Sequence, residues 1–175
     1  MMESMMIVPL VAVLLTAIYT DVGFSRIPNW LTISAMGFGL AAHSWLHGLQ
    51  GLLFSLLGLL VGLGLFLILY LLGTVGGGDV KLMAAVGAMV GPQGALESGV
   101  LAMLVGGLYA LGAMCYQWGW VSTVQRLGHV THGLFLTGGG TPWLQGLALP
   151  FRLRYGLAIA GGTLLLQLGV HPFGG

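Results

Sequence analysis

The fold is decided by residues 51–72, which read GLLFSLLGLLVGLGLFLILYLL and contain no charged side chain. A run of about 20 apolar residues is long enough to cross the hydrocarbon core of a bilayer as one α-helix. The whole chain has this character, because 57% of its 175 residues are hydrophobic and only 5% are charged. A soluble domain needs far more charge, and a disordered chain is poor in apolar residues. We therefore expect a protein embedded in a membrane.

Apolar runs divide the chain into about six candidate transmembrane helices, separated by segments that hold nearly all the proline, Gly-Gly and charged positions. The predicted spans are Met5–Thr20, Trp30–His47, Gly51–Leu72, Val80–Val90, Ser98–Tyr116 and Tyr155–Val170. The sequence therefore predicts an all-α polytopic helix bundle in which residues 1–175 form a single membrane-embedded domain. The first run lacks a small-residue cleavage pattern, so we interpret it as a retained helix and not as a signal peptide.

The segment Gly119–Pro150 has a different pattern. Four apolar residues recur in it at helical spacing, with polar residues on the opposite face; the four are Trp120, Val124, Leu127 and Leu134. This pattern predicts an amphipathic helix lying in the membrane interface, in contact with lipid headgroups.

The basic residues give the orientation, because all five fall in or beside the first, third and fifth connections. They are Arg26, Lys81, Arg126, Arg152 and Arg154. The positive-inside rule places those connections in the cytoplasm and both termini outside. Interfacial aromatic residues fit this topology: Tyr19, Trp30, Tyr70, Tyr116, Trp118 and Tyr155 on the inner side and Trp45 on the outer side. With a net charge of +1 and no basic run, nucleic acid is not expected as a partner.

The chain has four carboxylates, and two of them are candidates for chemistry. Glu3 and Glu97 are expected at the outer terminus and in an outer turn, where a solvated charge is inexpensive. Asp21 ends the first predicted span and Asp79 begins the fourth, so both are expected at the cytoplasmic boundary, where a bundle can bring them together. Ionisable groups at membrane depth are functional by default.

Asp79 follows Gly76, Gly77 and Gly78, which expose backbone N–H groups at a helix start and allow an extended substrate to approach. Two carboxyl groups that share one proton can act as general base and general acid in peptide hydrolysis. The alternative from the residues alone is that Asp79 is an ordinary helix cap and that Asp21 pairs with Arg26.

Two sequence blocks resemble the type IV prepilin peptidases, which are membrane aspartic proteases with a GxGD signature. Residues 21–29 read DVGFSRIPN and residues 76–82 read GGGDVKL. A weaker third match is RYGLAIA at 154–160, where the family often has Pro-Tyr-Gly before a small-residue helix and this chain has Arg154 in place of the proline. The resemblance implies that Asp21 and Asp79 are the catalytic pair. It also implies that the protein cuts the basic leader from prepilin or pseudopilin precursors at the cytoplasmic side of the bacterial inner membrane, without a metal or other cofactor.

One departure from the family pattern concerns cysteine. Long members carry a zinc-binding cysteine tetrad that accompanies N-methylation, whereas this chain has only Cys115, which we expect to be a packing residue. The chain is therefore similar to the short Flp-type, or tight-adherence, pilus peptidases, and methyltransferase activity is not expected. The histidine pairs His43/His47 and His129/His132 fall on opposite sides of the predicted topology, so we expect interfacial polar residues there and no metal site.

Four residues near the aspartates are expected to have supporting roles. Asn29 is expected to cap the second helix, with Pro28 restricting the turn before it. Lys81 is expected either to reach lipid phosphates or to meet acidic groups of a substrate, and Arg26 lies in the same loop as Asn29.

Two rival functions use the same aspartates. The chain could be a non-enzymatic membrane scaffold or a proton-coupled transporter, in which Asp21 and Asp79 hold helices together or carry protons. It could also be a GxGD protease whose substrates are not prepilins.

Overall fold

The structure is a computed structural model that describes residues 2–24, 26–118, 155–169 and 172. Its regular secondary structure in these ranges is helical throughout. The helices are α1 (Met2–Phe24), α2 (Asn29–Leu71), α3 (Gly77–Trp118) and α4 (Tyr155–Gln167). The interfacial helix predicted within Gly119–Pro150 lies outside the described residues.

Three of these helices contain stretches that are long and apolar enough to cross a membrane. The stretches are Met6–Phe24, Asn29–Leu71 and Gly77–Gly112, and α4 is a shorter apolar helix. The prediction of an all-α membrane protein is therefore confirmed, whereas the count of about six spans stays a prediction.

Each of the two longest helices is broken at one glycine with left-handed backbone dihedrals. Gly48 has φ 59° and ψ −138°, and Gly91 has φ 81° and ψ −179°. A Cβ built on Gly51 would strike the carbonyl group of His43. Residues eight apart in a straight helix are separated by about 12 Å along the axis, so the chain reverses direction at Gly48.

The same argument applies to α3. A Cβ on Gly99 would lie 3.6 Å from Cε of Met83, although 16 residues of straight helix span about 24 Å. Each of the long helices therefore consists of two helical segments. The segments of α2 are 29–47 and 49–71, and the segments of α3 are 77–90 and 92–118.

The second reversal is tighter than the sequence suggests, and the predicted outer turn at 91–97 is wrong. The helix resumes directly after Gly91, because proline is well suited to the first turn of a helix and Pro92 stands there. Glu97 is consequently inside α3 and only 2% exposed, not solvated in a turn. Gln93, one helical turn earlier, donates a hydrogen bond from Nε2 to Oε1 of Glu97 at 3.0 Å.

Backbone carbonyl groups just before the reversal at Gly91 are bonded by side chains of α2. Pro92 has no N–H, so the carbonyl of Ala88 has no partner four residues ahead. The hydroxyl of Ser55 donates to that carbonyl at 2.6 Å, and Nε2 of His43 hydrogen-bonds the carbonyl of Met89 at 3.0 Å. His43, expected as an interfacial polar residue, therefore joins α2 to the backbone of α3.

Glycines bring the segment 77–90 of α3 into backbone contact with both halves of α2. A Cβ on Gly39 would lie 2.7 Å from the carbonyl oxygen of Ala88, and a Cβ on Gly58 would overlap the carbonyl oxygen of Gly87. Small residues at helix crossings permit this close approach in membrane proteins. One core cluster contains the large, fully buried side chains Leu10, Leu14, Phe66, Leu82, Met83 and Ile159.

The first helix completes this part of the structure by packing against α2 and α4. These helix contacts lie within one compact unit, Met1–Gly106 with Arg154–Gly175. The residues from Gly107 to Leu153 form a second unit, of which only 107–118 are described.

The close helix packing at Gly58 predicts that alanine destabilises the protein at this glycine of α2 but not at Gly64. We expect Gly58→Ala to lower the free energy of unfolding by about 1–3 kcal/mol, because the added methyl group meets a backbone carbonyl that cannot rotate away. Gly64→Ala in the same segment is the matched control, since nothing lies within 4 Å of a Cβ there. Its stability should be unchanged or raised by up to about 1 kcal/mol. Thermal unfolding in detergent micelles measures both, and equal melting temperatures would contradict the packing.

Candidate active site

Asp79 lies in the first turn of α3 and is 8% exposed. Its Oδ2 accepts a hydrogen bond from the backbone N–H of Gly76 at 3.0 Å, and its own N–H donates to the carbonyl oxygen of Gly76 at 3.1 Å. An acidic residue that bonds back to the N–H three positions earlier is one half of a capping box. Asp79 therefore caps α3, and the helix start provides the backbone donor that the sequence predicted for this carboxyl group.

Asp21 lies in the last turn of α1 and is also 8% exposed. Its side chain lies directly against the backbone of α4 at Gly156. A Cβ built on Gly156 would be 2.7 Å from Oδ2 of Asp21 and 3.2 Å from its Cγ. The end of α1 and the start of α4 therefore meet at this carboxyl group.

Tyr155, the residue before Gly156, interacts electrostatically with Asp79. Its ring is half-buried against the core and adjoins α3, where a Cβ on Gly106 would lie 2.7 Å from Cε1 of Tyr155. The start of α4 thus contacts Asp21 through Gly156, and Tyr155 is within electrostatic range of Asp79. The expected place of Tyr155 at the inner membrane boundary stays a prediction, and the structure adds that its ring packs in part on the core.

The two sequence blocks that contain the aspartates also contact each other. A Cβ on Gly78 would lie 3.3 Å from Cβ of Ile27, so the loop before α2 packs on the glycine turn before Asp79. Gly76 is half-buried and Gly77 is exposed, with Cε2 of Tyr70 at 3.8 Å from a Cβ there. On the side that faces Ile27, the turn therefore has little room for a side chain larger than that of glycine.

The supporting residues differ in part from the prediction. Nζ of Lys81 donates a hydrogen bond to Oδ1 of Asn29 at 2.9 Å, which ties the start of α3 to the start of α2. The prediction that Asn29 caps α2 is wrong. Pro28 occupies the cap position without a side-chain bond, and its carbonyl accepts the N–H of Leu31 at 3.2 Å. Arg26 is exposed.

The arrangement suits acid–base chemistry. Asp21 and Asp79 are two nearly buried carboxyl groups near the start of α4, and a proton on one of two such groups gives an acid and a base. In the ranges 2–24, 26–118 and 155–169, no group of three or more His, Cys, Asp or Glu side chains could hold a metal ion.

Comparison with known proteins identifies related sequences. A model of the type IV leader peptidase family matches residues 8–111. The chain is 33% identical over 109 residues to the prepilin leader peptidase/N-methyltransferase of Bacillus subtilis (strain 168). The alignment covers 59% of this chain and 42% of the relative, so the chain matches less than half of that protein's length. No solved structure matches the chain.

The family match contains both aspartates and the glycine turn, and it ends before α4. In the sequence, Gly156 is singled out only by the weak third block of the resemblance. That block contains a Tyr-Gly pair at the start of the last apolar run, but residue spacing does not predict that Gly156 contacts Asp21.

The cap at Asp79 predicts that stability depends on its oxygen and not on its charge. We expect Asp79→Ala to lower the free energy of unfolding by about 1 kcal/mol, because the N–H of Gly76 loses its acceptor. Asp79→Asn keeps an acceptor oxygen at the same place and should remain near the wild type. Unfolding of both variants in detergent compares them, and an equal loss in both would contradict the cap.

Proposed function

The chain belongs to the type IV leader peptidase family, and we propose that it is a membrane aspartic endopeptidase that removes the basic leader peptide from type IV prepilins or pseudopilins. The observation that carries the proposal is the position of Asp21 and Asp79. They come from the two family-like sequence blocks, both are nearly buried, Asp21 lies against Gly156 at the start of α4, and Asp79 is within electrostatic range of the neighbouring Tyr155.

In the proposed reaction, the ionised member of the pair takes a proton from a water molecule, which attacks the carbonyl carbon of the scissile peptide bond. The protonated member donates its proton as the tetrahedral intermediate breaks down and the C–N bond opens to release the new amine. Gly76, Gly77 and Gly78 supply the side-chain-free turn along which an extended substrate backbone can lie.

The proposed enzyme is a short form of the family. The relative from Bacillus subtilis is named as both a peptidase and an N-methyltransferase, and this chain spans 42% of it. The loop at 21–29, where long members carry the cysteine tetrad that accompanies methylation, contains no cysteine in this chain. We therefore assign the chain the peptidase activity, without a metal or other cofactor.

The proposed topology has six spans in the bacterial inner membrane, both termini outside and the aspartates at the cytoplasmic face. It is supported by the glycine reversals, since α1, the two segments each of α2 and α3, and α4 together make six apolar helical segments. The five basic residues, in or beside alternate connections, support the orientation.

The proposed function predicts that each aspartate is essential. Asp21→Asn and Asp79→Asn should each slow removal of the prepilin leader by about 10²–10⁴-fold, because each amide retains the size of the side chain but cannot exchange the proton. Co-expression of a candidate precursor, followed by gel shift of the precursor in membranes, measures the rate. Glu97→Gln is the control, because this buried carboxyl belongs to neither family-like block and is hydrogen-bonded by Gln93.

The outcomes separate the rival functions. Normal processing by either folded Asn variant would overturn the peptidase proposal. No processing even by the wild type, with proton-coupled transport that the variants lose, would indicate a transporter. Prepilin left uncut while another membrane peptide is cleaved in an aspartate-dependent way would indicate a GxGD protease with other substrates.

The topology predicts which connections a membrane-impermeant maleimide can reach. In a Cys115→Ser background, Gln50→Cys, beside the reversal at Gly48, should be labelled from outside in intact spheroplasts. Thr74→Cys, in the connection before the glycine turn, should be labelled only in inverted vesicles. Both positions are exposed, so accessibility depends on the side of the membrane. Labelling of both from the same side would contradict the proposed orientation.

A further inference from the structure

We propose that Tyr155 and Gly156 are positioning residues that set the relative placement of the two catalytic carboxyl groups. This inference rests on the proposed function, because it assigns a task to residues outside the family-like blocks that contain Asp21 and Asp79. It follows from the close approach of Gly156 to Asp21 and of the Tyr155 ring to Gly106 of α3, the helix whose first turn contains Asp79.

The presence of glycine at position 156 is explained by the neighbouring Asp21 side chain and not by a backbone conformation that only glycine adopts. Positive φ angles among the described glycines occur at 48, 73, 91 and 169, so the helical backbone at 156 is open to any residue. Glycine inside a helix is about 1 kcal/mol less favourable than alanine. The three heavy atoms nearest to a Cβ at 156 all belong to Asp21: Oδ2 at 2.7 Å, Cγ at 3.2 Å and Cβ at 3.3 Å. A methyl group would therefore displace the carboxyl group.

The other glycines of α4 have different neighbours, which makes Gly156 distinctive. A Cβ on Gly162 would meet the backbone of α3 at Ala102, so Gly162 permits close helix packing. A Cβ on Gly161 would touch only Cγ1 of Val105, at an ordinary 3.6 Å. Among the glycines of α4, Gly156 is the one whose missing side chain leaves room for a carboxyl group.

Tyr155 places the start of α4 relative to Asp79. Its ring lies against Gly106 in the second segment of α3, and Asp79, in the first turn of the same helix, is within electrostatic range of it. The first turn of α4 thus contacts Asp21 and also packs on α3, which contains Asp79. A shift in this turn would therefore alter the separation of the two carboxyl groups.

The separation matters because proton transfer requires hydrogen-bond distances. A displacement of about 1 Å at a catalytic group can slow a reaction by about 10²-fold. It also changes how strongly the two carboxyl groups repel each other, and that repulsion sets the gap between the two apparent pKa values of a dyad. A change in positioning should therefore alter the pH dependence as well as the rate.

The experiment compares Gly156→Ala with Gly161→Ala, the matched control in the same helix. We expect Gly156→Ala to lower kcat for precursor cleavage by about 10–100-fold with little change in KM, and to move at least one limb of the pH–rate profile. Gly161→Ala should cleave within about twofold of the wild type with the same profile. Tyr155→Phe, which keeps the ring and removes the hydroxyl, should lower kcat and change the profile without lowering the melting temperature.

A second measurement needs no activity. If the methyl group in Gly156→Ala is opposed by the carboxyl group, the variant should melt at a lower temperature than the wild type. Adding Asp21→Ala should then recover most of that loss, because the carboxyl group is gone, whereas Gly161→Ala should show no such coupling to Asp21→Ala.

These outcomes distinguish the inference from the proposed function. A wild type that cleaves normally, with Gly156→Ala matching it in rate, pH profile and melting temperature, would overturn the positioning role and leave the peptidase intact. Absent cleavage by the wild type would overturn the peptidase, and the melting-temperature coupling would still decide whether position 156 and Asp21 compete for the same space. A loss of stability in Gly156→Ala that Asp21→Ala does not relieve would contradict the inference.

Discussion

Inside a membrane, a polypeptide backbone cannot leave its polar groups without partners, and the reversal of α3 at Gly91 meets this constraint through α2. Ser55 and His43 bond the carbonyl groups of Ala88 and Met89 just ahead of the break. The glycines of α2 then allow the same segment to approach to backbone contact. The segment 77–90 is therefore fixed along its length, and Asp79 is held at its head.

The candidate site is assembled from chain regions that are far apart in sequence. Asp21 comes from the end of α1 and lies against Gly156 of α4, and Asp79 comes from the start of α3, within electrostatic range of Tyr155. The position of each carboxyl group therefore depends on other helices as well as on its own. The loop before α2 adds a further tie, because Ile27 packs on Gly78 and Asn29 accepts a hydrogen bond from Lys81.

The hydropathy pattern predicted the helical class and the approximate helix limits correctly, because a helix that lies in lipid is recognised by the length of its apolar run. The same pattern was wrong for Glu97, which it placed in a turn. Hydropathy treats Gly91-Pro92 as the start of a loop, whereas a left-handed glycine followed by proline reverses the helix within one residue. The turn then ends before Glu97, which becomes buried.

The roles of Asn29, Tyr155 and Gly156 could not be predicted for a related reason. Each is defined by a partner more than 50 positions away, and periodicity describes only the helix to which a residue belongs. Asn29 bonds Lys81, and Gly156 accommodates Asp21. By contrast, the backbone donor to Asp79 was predictable, since Gly76 lies three residues before it and the contact is local.

The hydrogen bond between Asp79 and Gly76 also bears on proton transfer. A protonated carboxyl group keeps acceptor capacity, so the bond from the Gly76 N–H does not require the negative charge of Asp79. In the proposed dyad, Asp79 could therefore gain and lose a proton without releasing the first turn of the helix that carries it.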